Sequence, residues 1–163
     1  HITIPLSFMH QYFKSSLLDG AAAIPEGHYE EENMKSTVVP FRNGIMLAIA
    51  TGIAESHELK HVYIANHGGD HTIYPDCRPE FINAMNGATE AGTFVKVSVE
   101  APYTEITKAE IVARGAALGI DYAKTWSCYK GSDVHCGKCG TCVERREAFE
   151  AAGVKDPTVY SED

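Results

Sequence analysis

Four of the chain's five cysteines fall in one run, SCYKGSDVHCGKCGTC, from Ser127 to Cys142. Cys128, Cys136, Cys139 and Cys142 are spaced C-x7-C-x2-C-x2-C, so two C-x2-C knuckles share Cys139. Four thiolates around Zn²⁺ make a closed tetrahedral site with no position for water, the form that serves structure. Gly137 and Gly140 allow tight turns that aim backbone N–H groups at the sulfurs. Disulfides compete poorly, because cysteines three apart bridge only with strain and nothing indicates export. A redox pair needs one C-x2-C and not two further cysteines beside it. The ferredoxin run, C-x2-C-x2-C-x3-C-P, has a different spacing. His135 abuts Cys136, and adjacent residues seldom both reach one ion. Lys130, Lys138, Arg145 and Arg146 are close enough in sequence to screen the net negative charge of four thiolates on one dication. A structural zinc contributes on the order of 10–16 kcal/mol in small peptides, enough to order a segment with little core of its own.

The chain has 163 residues, enough for one domain spanning 1–163 with a real core. Its 44% hydrophobic and 22% charged residues are those of a soluble globular protein. A formal net charge of −8 argues against broad adhesion to nucleic acid, which needs basic patches to displace counterions. It leaves room for a small anionic ligand held by a local arginine and backbone N–H groups. No apolar run approaches the roughly 20 residues that cross a bilayer, so no membrane association is expected. The start, HITIPLSFMHQYFK, lacks the basic region and cleavage site of a signal peptide, and the cytoplasm is the expected compartment. It begins with His, as a truncated, processed or tagged product would.

Along the chain, ITIPL reads as a strand and SFMHQYFKSSLL as a short helix. The run from Asp19 to Thr37, rich in Gly, Glu, Pro and Asn, reads as a loop long enough for a lid, or else a mobile surface excursion. From Phe41 to His57 the pattern is helical, with Ile45, Ala48, Ile49, Gly52 and Ile53 on one stripe. HVYIAN reads as a buried strand and HGGDHTIYPDC as a turn-rich loop. Pro79 can open a helix whose core face is Phe81, Ile82, Met85 and Ala88. TFVKVSVE alternates like a strand. Thr107 and Glu110 have capping-box spacing ahead of a helix that Gly119 can end. CVERREAFEAAGV gives a last helix, ending near Gly153. Strands separated by helices point to an α/β fold with a parallel sheet. In such sheets ligands collect beyond the carboxyl ends of the strands, which singles out the loops after Asn66 and Glu100.

Several stretches together resemble the 7-cyano-7-deazaguanine synthases of queuosine precursor synthesis. They are VPFRN (Val39 to Asn43), YPDCRPEF (Tyr74 to Phe81), TKAEIV (Thr107 to Val112), TWSCY (Thr125 to Tyr129), CGKCGTC (Cys136 to Cys142) and RREAF (Arg145 to Phe149). The resemblance implies an adenine nucleotide alpha hydrolase-like (Rossmann-like) layer, with a partial parallel sheet and a zinc-binding segment at 126–150. It implies ATP, with Mg²⁺, as co-substrate in converting 7-carboxy-7-deazaguanine and ammonia to the nitrile. The carboxylate is expected to be activated by adenylation, and the amide formed by ammonia to be activated in turn for dehydration. It also implies one structural zinc per chain on the four cysteines. The family's opening strand and S-G-G-x-D-S loop, which would cradle the pyrophosphate of ATP, are not found in these residues. The chain is therefore expected to be incomplete for ATP binding, as a fragment, a degenerate paralogue, or one member of a pair whose other chain supplies the loop.

With that resemblance, Arg42 and Asn43 are candidates for holding an anion at a helix start. Asp70, Asp76 and Arg78 could read the edge of a deazapurine, and Tyr74 could stack on its face. Lys108 opens a helix where a cation opposes the dipole, which hints at charge balance on a phosphate. Cys77 is either a packed thiol or a nucleophile. His67 and His71 share its loop, where loop histidines seldom shuttle protons. The expected partners are the deazapurine and ammonia, with a homo-oligomer or a partner chain. Rival readings are an enzyme of the same fold acting on another carboxylate or a tRNA base, and a non-enzymatic zinc-bearing interaction module.

Overall fold

In a computed structural model of the chain, residues 1–20, 23–28, 31–131 and 133–161 are described. In chain order the elements are α1 (Phe8–Tyr12), α2 (Ser16–Asp19), α3 (Glu31–Met34), α4 (Arg42–Ser56), β1 (His61–Tyr63), α5 (Pro79–Gly92), β2 (Ser98–Glu100), α6 (Lys108–Ala117) and α7 (Gly140–Ala151). They divide into two compact units, Phe41–Ile111 and the combination of His1–Pro40 with Val112–Asp163.

The unit from Phe41 to Ile111 is built on a parallel pair, with β1 and β2 in register as His61↔Ser98, Val62↔Val99 and Tyr63↔Glu100. The α/β reading holds, with shorter strands than the alternation suggests. Lys96, at φ 59°, breaks the TFVKVSVE stretch ahead of β2. A core of Leu47, Ile82 and Val99 forms where α4 and α5 pack on the pair, with Val62, Ile64, Phe81 and Met85 around it. Ala88, expected on the core face of α5, is exposed.

Helix α4 buries a different face from the expected stripe. Gly44, Leu47, Thr51 and Ala54 point inward, and Ala48 and Gly52 are exposed. Apolar residues surround this helix almost completely, so periodicity alone marks no side. Packing sets the face: the Phe41 ring lies so close over Gly44 that a Cβ there would come within 2.3 Å of it. The same ring meets Phe81 edge to face at 5.8 Å. By length and composition the stretch Lys35–Ser56 could cross a membrane. Its backbone, however, turns left-handed at Phe41, at φ 52°. The regular helix that follows has 15 residues, about 22 Å against roughly 30 Å of hydrocarbon.

In the other unit, ITIPL forms no strand, because no described segment pairs with it and a lone extended segment has no ladder to join. The expected first helix is two short turns, α1 and α2, separated at Phe13–Ser15, where the Ser15 hydroxyl caps α2 by accepting from Leu17 N–H at 3.3 Å. In the Asp19 to Thr37 run Ile24, Met34 and Thr37 are buried, and most of its other described residues are exposed; its Ala21, Ala22, Tyr29 and Glu30 lie outside the described residues. Val112, Ala148 and Phe149 form a second core cluster under Tyr122. The Tyr122 hydroxyl donates to the Val112 carbonyl at 2.8 Å, crossing α6 where Gly115 leaves room for it.

The helix ends follow the sequence signals. Thr107 and Glu110 form the capping box, with Thr107 N–H donating to the Glu110 carboxylate at 2.7 Å and Glu110 N–H to the Thr107 hydroxyl at 3.2 Å. Gly119 and Gly153 turn left-handed, at φ 74° and 64°. The N–H groups of Ile120 and Val154 close back onto Gly115 and Phe149.

Candidate functional site

The four clustered cysteines converge. One sulfur from each of Cys128, Cys136, Cys139 and Cys142 lies within 4.8 Å of all the others. None is in a disulfide, and the Sγ atoms of Cys136 and Cys142 are 4.0 Å apart. Tetrahedral zinc with bonds of about 2.3 Å places its sulfurs about 3.8 Å apart, so the quartet has the dimensions to close on one ion. Gly137, at φ 70°, makes the turn that aims the N–H groups of Lys138 and Cys139 at the Cys136 sulfur, at 3.4 and 3.3 Å. Cys136 N–H reaches the Cys128 sulfur at 3.4 Å. Gly140 needs no special conformation and is the first residue of α7, which carries Cys142 into the site.

Burial pushes the Cys142 and Cys136 thiols up. Burial acts the same way on Cys139, but hydrogen bonds from the Thr141 hydroxyl and from backbone N–H groups outweigh it, bringing that thiol down to about 6. One sulfur is thus disposed to be anionic near neutral pH, and a cation would draw the others with it.

His135 stands outside the quartet. Its Nε2 accepts from Ser127 N–H at 3.2 Å, and its ring stacks on Trp126 with centroids 4.1 Å apart. Burial lowers its pKa, with the Arg145 charge acting the same way. The packed stretch before α3 forms one wall of the centre: Ile24 is buried against Cys128, Cys139 and Cys142, and Glu26 bridges to Cys139. Gly27 N–H donates to the Lys138 carbonyl at 2.9 Å, and Lys130 pairs with Glu26. Of the cations expected to screen the sulfurs, Arg145 is committed elsewhere, buried and paired with Asp156 at 3.4 Å.

In the unit around β1 and β2, the loops that leave the carboxyl ends of the two strands meet. Asn66, buried at the end of the first, donates from Nδ2 to the Cys77 carbonyl at 2.8 Å and the Thr104 hydroxyl at 3.2 Å. Gly68 N–H donates to the Ile106 carbonyl at 3.0 Å. His67 is buried and holds the turn, its Nδ1 accepting from Gly69 N–H at 3.1 Å and its Nε2 lying 3.4 Å from Asp70. These ties escaped the sequence reading; an Asn just past an apolar strand was the only signal, and a weak one.

Of the candidate binding residues, Asn43, Asp76 and Cys77 touch. Helix α4 begins without a side-chain cap of its own, and Asp76 supplies one from the loop, accepting from Asn43 N–H at 2.9 Å. The Asn43 side chain donates to the Asp76 carbonyl at 3.2 Å and meets the Cys77 sulfur at 3.2 Å. An anion does sit at this helix start, and it is the protein's own carboxylate. Arg42 is near enough for its charge to act on Cys77. Burial nevertheless pushes that thiol up to about 12, helped by Asp70 and Asp76. The side chain is buried, with 5% of its surface exposed. Arg78 donates from Nε to the His71 carbonyl at 2.8 Å, and Tyr74 is buried, with 8% of its surface exposed. Lys108 is the first residue of α6, next to the capping box.

A family model described as queuosine biosynthesis protein QueC matches residues 1–153. The chain is 64% identical over 160 residues to a 7-cyano-7-deazaguanine synthase of Porphyromonas gingivalis, an alignment covering 98% of this chain and 73% of that protein. It is 53% identical to the enzyme of the same name from Desulfotalea psychrophila, over 98% of this chain and 73% of the relative. With the Rhizobium etli enzyme the identity is 52%, over 99% and 70%.

Proposed function

Because the chain belongs to the queuosine biosynthesis protein QueC family, we propose that it acts in queuosine precursor biosynthesis as a 7-cyano-7-deazaguanine synthase. The observation that carries this reading is the identity of 64% to a protein of that name along nearly the whole chain. The reaction forms C–N bonds at the expense of ATP. A carboxylate is a poor electrophile until its oxygen becomes a leaving group, so adenylation of 7-carboxy-7-deazaguanine releases pyrophosphate and gives the acyl adenylate. Ammonia adds to the acyl carbon and displaces AMP, leaving the amide. A second adenylation, on the amide oxygen, releases another pyrophosphate, and the nitrile forms as AMP departs and the nitrogen gives up both its protons.

The site for the deazapurine is proposed at the joined strand-end loops, in line with the rule that ligands of open α/β sheets gather there. Arg42, Asp70 and Lys108 are the polar groups suggested to face it. Asn43, Asp76 and Arg78 act first by fixing loop to helix, and Tyr74 by filling the space beneath. ATP, with Mg²⁺, is proposed as co-substrate. The cytoplasm is the proposed compartment.

Zinc is proposed for the cysteine quartet, which the sulfur spacing supports, since an iron–sulfur cluster spreads its cysteines over several metal atoms. Bound there, it would supply no chemistry to substrate and would hold Cys128, the Cys136–Cys139 turn and the start of α7 together.

The test is turnover by the protein expressed from its full reading frame, given 7-carboxy-7-deazaguanine, ammonium and ATP. Nitrile formation with release of AMP is expected. AMP release driven by a different carboxylate, with none from the deazapurine, would overturn the substrate assignment.

A further inference from the structure

The chain after Gly153 lies past the residues that the family model matches, yet it makes specific contacts with the cysteine segment. After Gly153 it runs back so that Tyr160 forms a parallel bridge with His135. Ser161 N–H donates to the His135 carbonyl at 2.8 Å, and its hydroxyl to the Cys136 carbonyl at 3.1 Å. The Tyr160 ring packs against the buried cluster of Ile24, Cys128, Cys139 and Cys142. The Arg146 guanidinium covers that ring, 3.9 Å from its centre, and Nη1 donates to the Gly137 carbonyl at 3.3 Å. The tail thus holds the carbonyls of His135 and Cys136, while Arg146 of α7, seated on the Tyr160 ring, holds that of Gly137.

The tail is itself pinned. The Tyr160 hydroxyl donates to Asp156 at 2.6 Å, and the same carboxylate accepts from Thr158 N–H at 3.0 Å. Arg145 pairs with Asp156 from α7 and donates to the Thr125 hydroxyl at 3.0 Å and the Tyr122 carbonyl at 3.1 Å. The helix that carries Cys142 thus also anchors the strap lying beside Cys136.

We propose that residues Asp156–Ser161 are a retention strap for the metal centre, with Tyr160 and Asp156 as positioning residues that slow exchange of the bound ion. The inference rests on the zinc reading above. Exchange requires one thiolate to leave while an incoming ligand takes its place. Cys136 is the one member of the quartet that is not fully buried, so it is the natural point of departure. Its sulfur can swing out only if residues 135–137 move; the strap bonds His135 and Cys136 directly, and its Tyr160 ring seats the Arg146 guanidinium that holds Gly137. It leaves the ligand set unaltered, so it acts on the rate of loss more than on the dimensions of the site.

The experiment uses the zinc-loaded full chain, mixed with excess chromophoric chelator, beside Tyr160→Ala, Tyr160→Phe, Asp156→Asn and a chain ending at Lys155. All should start with one zinc per chain. Tyr160→Ala and the shortened chain should release zinc at least tenfold faster than the parent, and Asp156→Asn several-fold faster. Tyr160→Phe, which keeps the ring, should stay closer to the parent than Tyr160→Ala. The denaturant-extrapolated unfolding rate of each variant separates strap from scaffold, because release must accelerate more than unfolding does. Equal release rates in all variants, or release that tracks unfolding throughout, would overturn the proposal. Where Tyr160→Ala fails to hold zinc, Asp156→Asn decides, since the ring remains. A parent chain that carries no zinc at all would instead sink the metal reading on which the strap depends.

Discussion

The Cys77 thiol meets the Asn43 side-chain amide at 3.2 Å, and burial beside Asp70 and Asp76 pushes it up to about 12. Only a minute fraction is thiolate at pH 8, so iodoacetamide should leave Cys77 unmodified in the folded protein and alkylate it readily in denaturant. Prompt labelling in the native state, located by peptide mass mapping, would contradict the burial argument. Asp156 shows the opposite balance. Burial would raise its carboxyl, but hydrogen bonds from Thr158 and Tyr160, together with the Arg145 charge, hold it below the usual carboxylate range. A depressed folded value contributes stability that is fully present above the unfolded value of about 3.9 and is lost as pH falls through the folded value. The stability gap between parent and Asp156→Asn should therefore be level from neutral pH down to about pH 5 and shrink in more acid solution. Urea midpoints across that range measure it. A gap that widens on acidification would mean the carboxylate is not held as described.

At the scale of elements, both ends of α4 depend on residues that propensity does not favour. Its start has Phe41 left-handed, with no side chain of its own to cap it, and borrows Asp76. Asp76→Ala should cost about 0.5–2 kcal/mol, the usual range for losing a helix cap. Its far end turns on Glu58, at φ 56°, with Leu59 N–H closing onto the Ala54 carbonyl at 2.8 Å. Glycine adopts that conformation without a Cβ clash, so Glu58→Gly should stabilise the protein by roughly 0.5–1 kcal/mol. Denaturation midpoints test both, and a destabilised Glu58→Gly would show that the Glu58 side chain makes a contribution larger than its strain. The contrast with α6 and α7 is instructive. There Gly119 and Gly153 stand where the backbone turns left-handed, and both ends could be read in advance because the chemistry was local. Asp76 lies 33 residues from Asn43, and nothing in the local sequence of α4 announces its cap.

For the molecule as a whole, the metal reading has the largest consequence. Metal analysis should give one zinc per chain, and Cys139→Ser should unfold the unit formed by His1–Pro40 and Val112–Asp163, because Cys139 is fully buried there between two knuckles. Thermal melts and circular dichroism check this, with an unchanged melt and unchanged zinc as the contrary result. The sequence by itself determined the quartet, the βαβ alternation, the capping box and the family resemblance. Each rests on residue identity at fixed short spacing, where chain geometry leaves few outcomes. Tertiary structure alone decided which face of α4 turns inward, since a helix apolar on every side carries no directional signal. It also decided that Ile24, Glu26 and Gly27 wall the cysteine centre, that Asp76 caps a distant helix, and that the tail grips residues 135 and 136. Those are contacts between segments far apart in the chain, and their free energy depends on shapes and distances that exist only after the chain has folded.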